Sequence, residues 1–215
     1  MKEYSFTTYN IFKIHFPFCK QVIGRLCEEN DFVAFQEWIS SVHINNHHHI
    51  STCATFTIPI RNVQTGTTTV SKVPIASTDF YYSKGKELGF VTRKSMLVTS
   101  HNLDGKELFI FNCHALNFVT NSSWYSTIDF WISQIPHSGS VIFAGDFNTW
   151  NPWRFDYLER KLEKLGFVYA HYNHNLILRL DHIFVRNIEI VSTKLHENVH
   201  TSDHYPVTLR FRLQA

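Results

Sequence analysis

No run of about 18 consecutive apolar residues occurs in the sequence, so no segment is long enough to span a bilayer as a helix. The opening "MKEYSFTTYNIF" has no apolar segment ahead of a cleavage site, which leads to the expectation of a cytoplasmic protein. There is no CxxC pair. Cys19, Cys27, Cys53 and Cys113 lie in apolar surroundings and read as buried free thiols. The pattern GxxxxGK[ST] is missing, which argues against a P-loop kinase or ATPase, and nothing resembles a Ser or Cys nucleophile constellation. Charge of one sign is also lacking. Twenty Lys and Arg against 18 Asp and Glu leave +2, too little to demand a polyanionic partner, although a local basic patch could still serve phosphates. Repeats, low-complexity linkers and composition shifts are absent, and 215 residues suffice for one well-buried core, so a single domain over 1–215 is expected.

What is present is a mixed pattern of strands and helices. "YSFTTYNI", "FCKQVIGRLCEEN" and "DFVAFQEW" read as strand, helix and strand, a parallel crossover unit. Residues 39–66 are polar, with a turn expected at "QTG". Two β-rich runs flank "NLDG", where Asp104-Gly105 favours a hairpin. "NSSWYSTIDFWISQI" reads as a helix capped by Asn121 or Ser122, with Trp124, Ile128, Trp131, Ile132 and Ile135 on one face. In "NPWRFDYLERKLEKLG", Asn151 is the expected N-cap and Pro152 the first helical residue. Phe155, Leu158, Leu162 and Leu165 form its stripe, and Gly166 ends it. Many strands and few helices suggest two packed sheets with helices outside.

Several apolar strands stop at polar residues. "FTTYN" ends at Asn10, "DFVAFQE" at Glu37 and "LFIFNCH" at His114. "VIFAGDFN" ends with Asp146 and Asn148, "RLDHIF" begins with Asp181, and "TSDHYP" supplies Asp203 and His204. Side chains at i and i+2 of an extended segment point the same way, which gives Asp146 and Asn148 a common direction. Carboxylate and amide oxygens suit a hard divalent cation, Mg²⁺ or Mn²⁺, and a His fixed by an acid suits water activation, so the chemistry suggested is phosphate-ester hydrolysis.

The ordered set "TYN", "FQE", "TGTTTVSK", "NCHALN", "GDFNTW", "LDHIF" and "TSDHYPV" resembles the endonuclease/exonuclease/phosphatase superfamily, the deoxyribonuclease type I-like fold. It looks closest to an uncharacterised bacterial subgroup. The resemblance spans essentially the whole chain and implies a four-layer α-β-β-α sandwich with two packed mixed sheets. It implies Asn10 and Glu37 at a metal site, with Asp203 binding or orienting the metal-water shell. His114 and Asn117 would lie beside phosphate oxygens, and Asp146 and Asn148 around the attacking water and phosphate. Asp181 would pair with the catalytic His204. Lys72 falls where the family commonly has Arg. "TYNIFK" departs from abasic-site endonucleases, which tend to carry an acid two residues after the Asn.

The function expected is a metal-dependent phosphodiesterase, a nuclease acting on DNA or RNA through a local cleft, as a monomer. Two alternatives stand: hydrolysis of a small or lipid phosphoester such as an inositol phosphate or sphingomyelin, and a catalytically degenerate binding protein of the same fold. His47, His48 and His49 read as a polar loop rather than a zinc site. His171 and His174 are candidates for the cleft lip, and Trp150 and Trp153 are expected to be buried against the sheet rather than to stack on a base.

Overall fold

The structure is a computed structural model that describes residues 2–14, 17–42, 44, 48–58, 63–87, 92–170 and 180–214. His47, His171 and His174 lie outside the described residues.

β1 (Tyr4–Asn10) and β2 (Phe32–Ile39) are parallel neighbours joined through α1 (Cys19–Glu29), the crossover unit read from the sequence. Helical spacing puts Cys19, Ile23, Leu26 and Cys27 on one face of α1, where they are buried with Val33, Phe35 and Trp38 of β2. β3 (His49–Ile58) and β4 (Val63–Ser71) extend this sheet on one side. β11 (Ile188–Leu195) and β12 (Val207–Leu213) extend it on the other, in the order β11-β12-β1-β2-β4-β3.

The second sheet contains β5 (Ser77–Tyr82), β6 (Ser95–Leu103), β7 (Lys106–His114), β8 (Ser140–Asp146), β9 (Val168–Tyr169) and β10 (Asp181–Arg186). Its order is β5-β6-β7-β8-β10-β9. β6 and β7 form the expected hairpin, with Asp104 and Gly105 at φ 52° and 85°. Every residue of β8 is buried, as its unbroken apolar run requires of a strand covered on both faces.

Phe6, Phe32, Leu108, Ile142, Val207 and Phe211 belong to the core between the two sheets. A second core lies between the second sheet and α2 (Asn121–Ile132) and α3 (Pro152–Glu163), with Trp124, Ile128, Trp131, Leu158 and Leu162 buried in it. α1 covers the other outer face, which completes the four-layer sandwich. All four cysteines are buried and free. Among the described residues, no helix is long and apolar enough to cross a membrane.

Three local expectations are corrected. The turn expected at Gln64-Thr65-Gly66 lies inside β4. A Cβ at Gly66 would come 1.9 Å from Cys53 O, so this glycine serves a close approach beside the register shift at Ala54–Phe56. The cap of α2 is Thr120, whose side chain accepts from Ser123 N, rather than Asn121 or Ser122. Leu165 is exposed because α3 stops at Glu163, before the stripe can continue, whereas Asn151 and Pro152 start the helix as read.

Candidate active site

Register gathers the polar strand ends. His114 pairs with Asp146 across the parallel β7–β8 ladder, and Asp146 pairs with Asp181 across the antiparallel β8–β10 ladder. Three titratable residues thus stand side by side on three adjacent strands. In the facing sheet Asn10 pairs with Gln36, one residue before Glu37. Asn10 Nδ2 donates to Asp146 Oδ2 at 2.9 Å and bridges the two sheets.

Glu37 reaches the site because β2 is bulged. The register with β4 shifts between Phe35 and Trp38, and Glu37 takes φ 55°. A bulge re-aims a side chain that regular alternation would send elsewhere. Phe12, Lys13 and Asn148 also have positive φ, at 45°, 51° and 50°. Each such non-glycine residue costs on the order of 1–3 kcal/mol, which the surrounding contacts must offset.

Asp146 and Asn148 do come together, but not through the pleat. β8 ends at Asp146, the chain turns, and Asp146 Oδ1 accepts from Asn148 N at 2.9 Å. This is an Asx-type turn. Asn148 Nδ2 donates to Ala115 O at 3.0 Å and lies 3.5 Å from Asp146 Oδ2. Gly145 permits the approach. At φ 139° it lies where L side chains are strained, and a Cβ there would meet Cys113 O at 1.9 Å.

His204 Nδ1 lies 2.6 Å from Asp181 Oδ2, and its Nε2 lies 3.9 Å from Asp146 Oδ2. Burial pushes this imidazole down, but Asp181 and Asp146 outweigh it and hold it up at about 10. Burial raises the Asp146 carboxyl to about 6. Asp181 adds to that rise, while His204 and the donors Asn10 and Asn148 oppose it. In the metal-free protein these carboxylates therefore favour the imidazolium form of His204.

His114 is its opposite. Burial, with Lys94, Lys13 and His204 nearby, drives it well below the usual histidine range. Lys94 Nζ lies 3.1 Å from His114 Nε2. An ammonium has no acceptor, so Nε2 accepts and the ring proton sits on Nδ1. With Lys94 on Nε2, the charged donor at this position is the lysine. Lys94 also pairs with Glu87 Oε2 at 3.4 Å, and Glu87 Oε1 accepts from Asn117 N at 2.7 Å. Asn117 Oδ1 and Asn148 Oδ1 both accept from Trp150 Nε1, at 2.5 and 3.1 Å.

Contacts under 4 Å link Glu37 to His204 through His114 and Asp146: Glu37 Oε1 to His114 Nε2 is 3.8 Å, and His114 Nε2 to Asp146 Oδ2 is 3.6 Å. Asp203 stays on the rim. It is exposed, and its Oδ1 accepts from Ser202 Oγ at 3.2 Å. Lys72 lies at the far end of β4, with its ammonium on Glu28 O.

Sequence reasoning did not single out Lys13, Lys94 and Glu87. Lys13 pairs with Glu37 Oε2, and Lys94 Nζ lies 4.0 Å from Oε1. Lys94 stands just before the apolar β6, the same polar-flank signal that marked Asn10 and Glu37. Trp150 and Trp153 are 43% and 68% exposed, against the expected burial. α3 is anchored instead through Leu158, Leu162 and the buried Arg154. His48 is buried, with Nε2 3.2 Å from Cys27 O, while His49 opens β3, so these two do not converge.

A hard cation can be tested against these donors. Among the described residues, no group of three or more His, Cys, Asp or Glu could hold a metal ion. Mg²⁺ asks for less, since it keeps several waters and takes one or two carboxylates. Glu37 supplies a carboxylate that already attracts an ammonium, and Asn10 supplies a carbonyl oxygen that now accepts from Phe12 N at 3.0 Å. The donor set fits a mostly hydrated Mg²⁺ or Mn²⁺ on condition that Lys13 leaves Glu37.

The sequence profile of the Endonuclease/Exonuclease/phosphatase family matches residues 7–204. A UPF0294 protein of Vibrio parahaemolyticus is 32% identical over 131 residues, 56% of this chain and 46% of that protein. The chain spans about half the length of the curated relatives it matches. Among solved structures, an endonuclease/exonuclease/phosphatase from Beutenbergia cavernae has TM-score 0.82 at 13% identity, covering 100% of this chain and 72% of that one. One from Bacteroides vulgatus has TM-score 0.76 at 12% identity, covering 100% of both chains. At such identities these likenesses speak for the fold, and the profile match speaks for the family. The chain belongs to the endonuclease/exonuclease/phosphatase family.

Proposed function

We propose that residues 1–215 act as one domain and hydrolyse phosphodiesters in DNA or RNA with a divalent cation, Mg²⁺ or Mn²⁺. The observation that carries this reading is the His204 imidazole, hydrogen-bonded to Asp181 at 2.6 Å and facing Asp146 in the same strand-end cluster. Asp181 fixes the ring so that Nε2 faces the reacting water. A cation held by Glu37 and Asn10 would disfavour the imidazolium and leave Nε2 neutral to take the water proton, and the two carboxylates stabilise the imidazolium that then forms. Asp146 and Asn148 position the water and the phosphate. Lys94, His114 and Asn117 line the phosphoryl oxygens, with Lys94 the charged donor. Glu37 and Asn10 would hold the cation, with Asp203 orienting its waters from the rim. The cation would supply charge stabilisation at the phosphate and leaving oxygen.

The test is turnover of bis(p-nitrophenyl) phosphate with and without Mn²⁺, compared between wild type and His204→Ala. Metal-stimulated turnover that disappears in the variant is expected. Equal turnover in both proteins would overturn the assignment.

A small phosphoester substrate is the second reading. It is favoured by a cavity of about 220 Å³ beside Glu37 and His114, lined also by Lys13, Arg93 and Lys94. Its three cations suit a second phosphate. Turnover of inositol phosphates without turnover of oligonucleotides would select this reading.

A further inference from the structure

We infer that Phe118, Trp150 and Trp153 form an aromatic ledge that stacks the unpaired bases of a single-stranded nucleic acid beside the scissile phosphate. The inference rests on the phosphodiesterase reading and narrows its substrate class.

These three side chains are 74%, 43% and 68% exposed. Isolated surface aromatics need no explanation, but these sit on two segments strapped together next to the site. Trp150 Nε1 donates to Asn117 Oδ1, adjacent to Phe118 in the chain. Arg154, itself buried, donates from Nη2 to Val119 O at 2.8 Å, from Nε to Asn121 Oδ1 at 3.1 Å and from Nη1 to Asn148 O at 2.9 Å. Asn151 caps α3 by accepting from Arg154 N. The loop after β7 and the loop after β8 are thereby fixed to one another, and each presents bulky rings to solvent. A ledge held this way loses little freedom when a base lands on it, and every base has a face that stacks.

The ledge is continuous with the phosphate site. The indole that stands on it also holds Asn117 and Asn148 through one N–H. The cavity that His114 also lines brings Lys13, Arg93 and Lys94 together. Exposed rings and a cationic cavity that adjoin one site match a strand whose base stacks while the adjoining phosphate meets the lysines. A base inside a duplex is already stacked on its neighbours and cannot spread over these rings, so the arrangement selects unpaired strands. The small net charge agrees with a short contact rather than a broad duplex-binding face.

The experiment uses the double variant Phe118→Ala/Trp153→Ala. Both side chains are largely solvated and neither is placed in the catalytic set. Fluorescence anisotropy in EDTA at fixed salt measures binding of labelled oligo-dT, a blunt duplex and phosphatidylcholine vesicles. Turnover of bis(p-nitrophenyl) phosphate is followed in parallel with Mn²⁺. Wild type should bind oligo-dT more tightly than duplex. The double variant should lose on the order of ten- to a hundredfold in oligo-dT affinity, with bis-ester turnover unchanged. Equal oligo-dT affinity in the two proteins, with His204-dependent bis-ester turnover intact, would overturn the ledge and leave the hydrolase reading standing. Loss of oligo-dT binding in a protein that turns over no ester would uphold the ledge and remove the hydrolase reading. Vesicle binding that the double variant loses, without oligo-dT binding by wild type, would overturn the inference in favour of a lipid surface.

Discussion

Asp146 and Asp181 stand directly opposite each other on antiparallel neighbours β8 and β10, and His204 addresses both carboxylates, one from each ring nitrogen. Two buried acids in register would repel if nothing lay between them, and the imidazolium relieves that repulsion.

The pair makes His204 sensitive to Asp181. In metal-free protein the His204 ring should stay protonated until about pH 10. Because this value is raised, its contribution to stability is complete below about pH 6.5 and is lost as pH rises through about 10. Asp181→Asn should move the midpoint down, as read from the His204 Cε1–H resonance in an NMR titration. Removing a general base costs 10²- to 10⁴-fold in rate. His204→Ala should therefore lose about that much in kcat with the cation saturating, and Asp181→Asn a substantial part of it. A loss under about threefold in both would refute the assigned pair.

A divalent cation held by Glu37, as proposed, would have to compete with Lys13 for that carboxylate. Lys13→Met should bind Mn²⁺ more tightly than wild type, by roughly tenfold, because the tethered ammonium no longer has to be displaced. Glu37→Gln should bind it more weakly. Isothermal titration calorimetry reads both. Equal affinity in wild type and Glu37→Gln would remove Glu37 as principal ligand.

Gly145→Ala should destabilise the fold by at least about 3 kcal/mol, because the methyl group meets Cys113 backbone rather than a movable side chain and the φ is unfavourable. Urea denaturation of wild type and variant measures the difference. Gly105→Ala is the control. That position also has positive φ, but no atom lies within 4 Å of the added Cβ, so its cost should be much smaller.

His101 gives the protein an acid limit away from the site. It is fully buried, its ring Nε2 lies 3.0 Å from Thr99 Oγ1, and it packs edge-on against Phe32. Burial lowers its pKa to about 4. An unfolded chain would bind this proton from about pH 6.5 downward while the folded one would not, so stability falls as pH drops from about 6.5 to about 4. The loss is on the order of 3 kcal/mol at the lower end. His101→Gln should flatten this part of the pH–stability curve measured by thermal unfolding.

Much of this protein is local, and local features were legible in the residues. Spacing of three and four marked α1, and Asn151-Pro152 marked the start of α3, because caps and helix faces depend on neighbours within one turn. Asp104-Gly105 marked a hairpin because only a few residue types accept its backbone. Apolar runs ending in Asn10, His114 and Asp146 were visible because each strand closes on a polar residue, whereas β2 runs on past Glu37 to Ile39. What only the tertiary structure decided depends on pairings across tens of residues. The register put His114, Asp146 and Asp181 in one row, and a bulge turned Glu37 toward them. Lys13 and Lys94, more than 80 residues apart, were thereby brought to the same carboxylate. Gly66 looks like a turn residue in its own neighbourhood but lies inside β4, where the approach of Cys53 O leaves no room for a side chain. Trp150 and Trp153 carry no local sign of which way they face. Leu158, Leu162 and Arg154 already satisfy the interface of α3 with the sheet, and that leaves the two indoles in solvent beside the site.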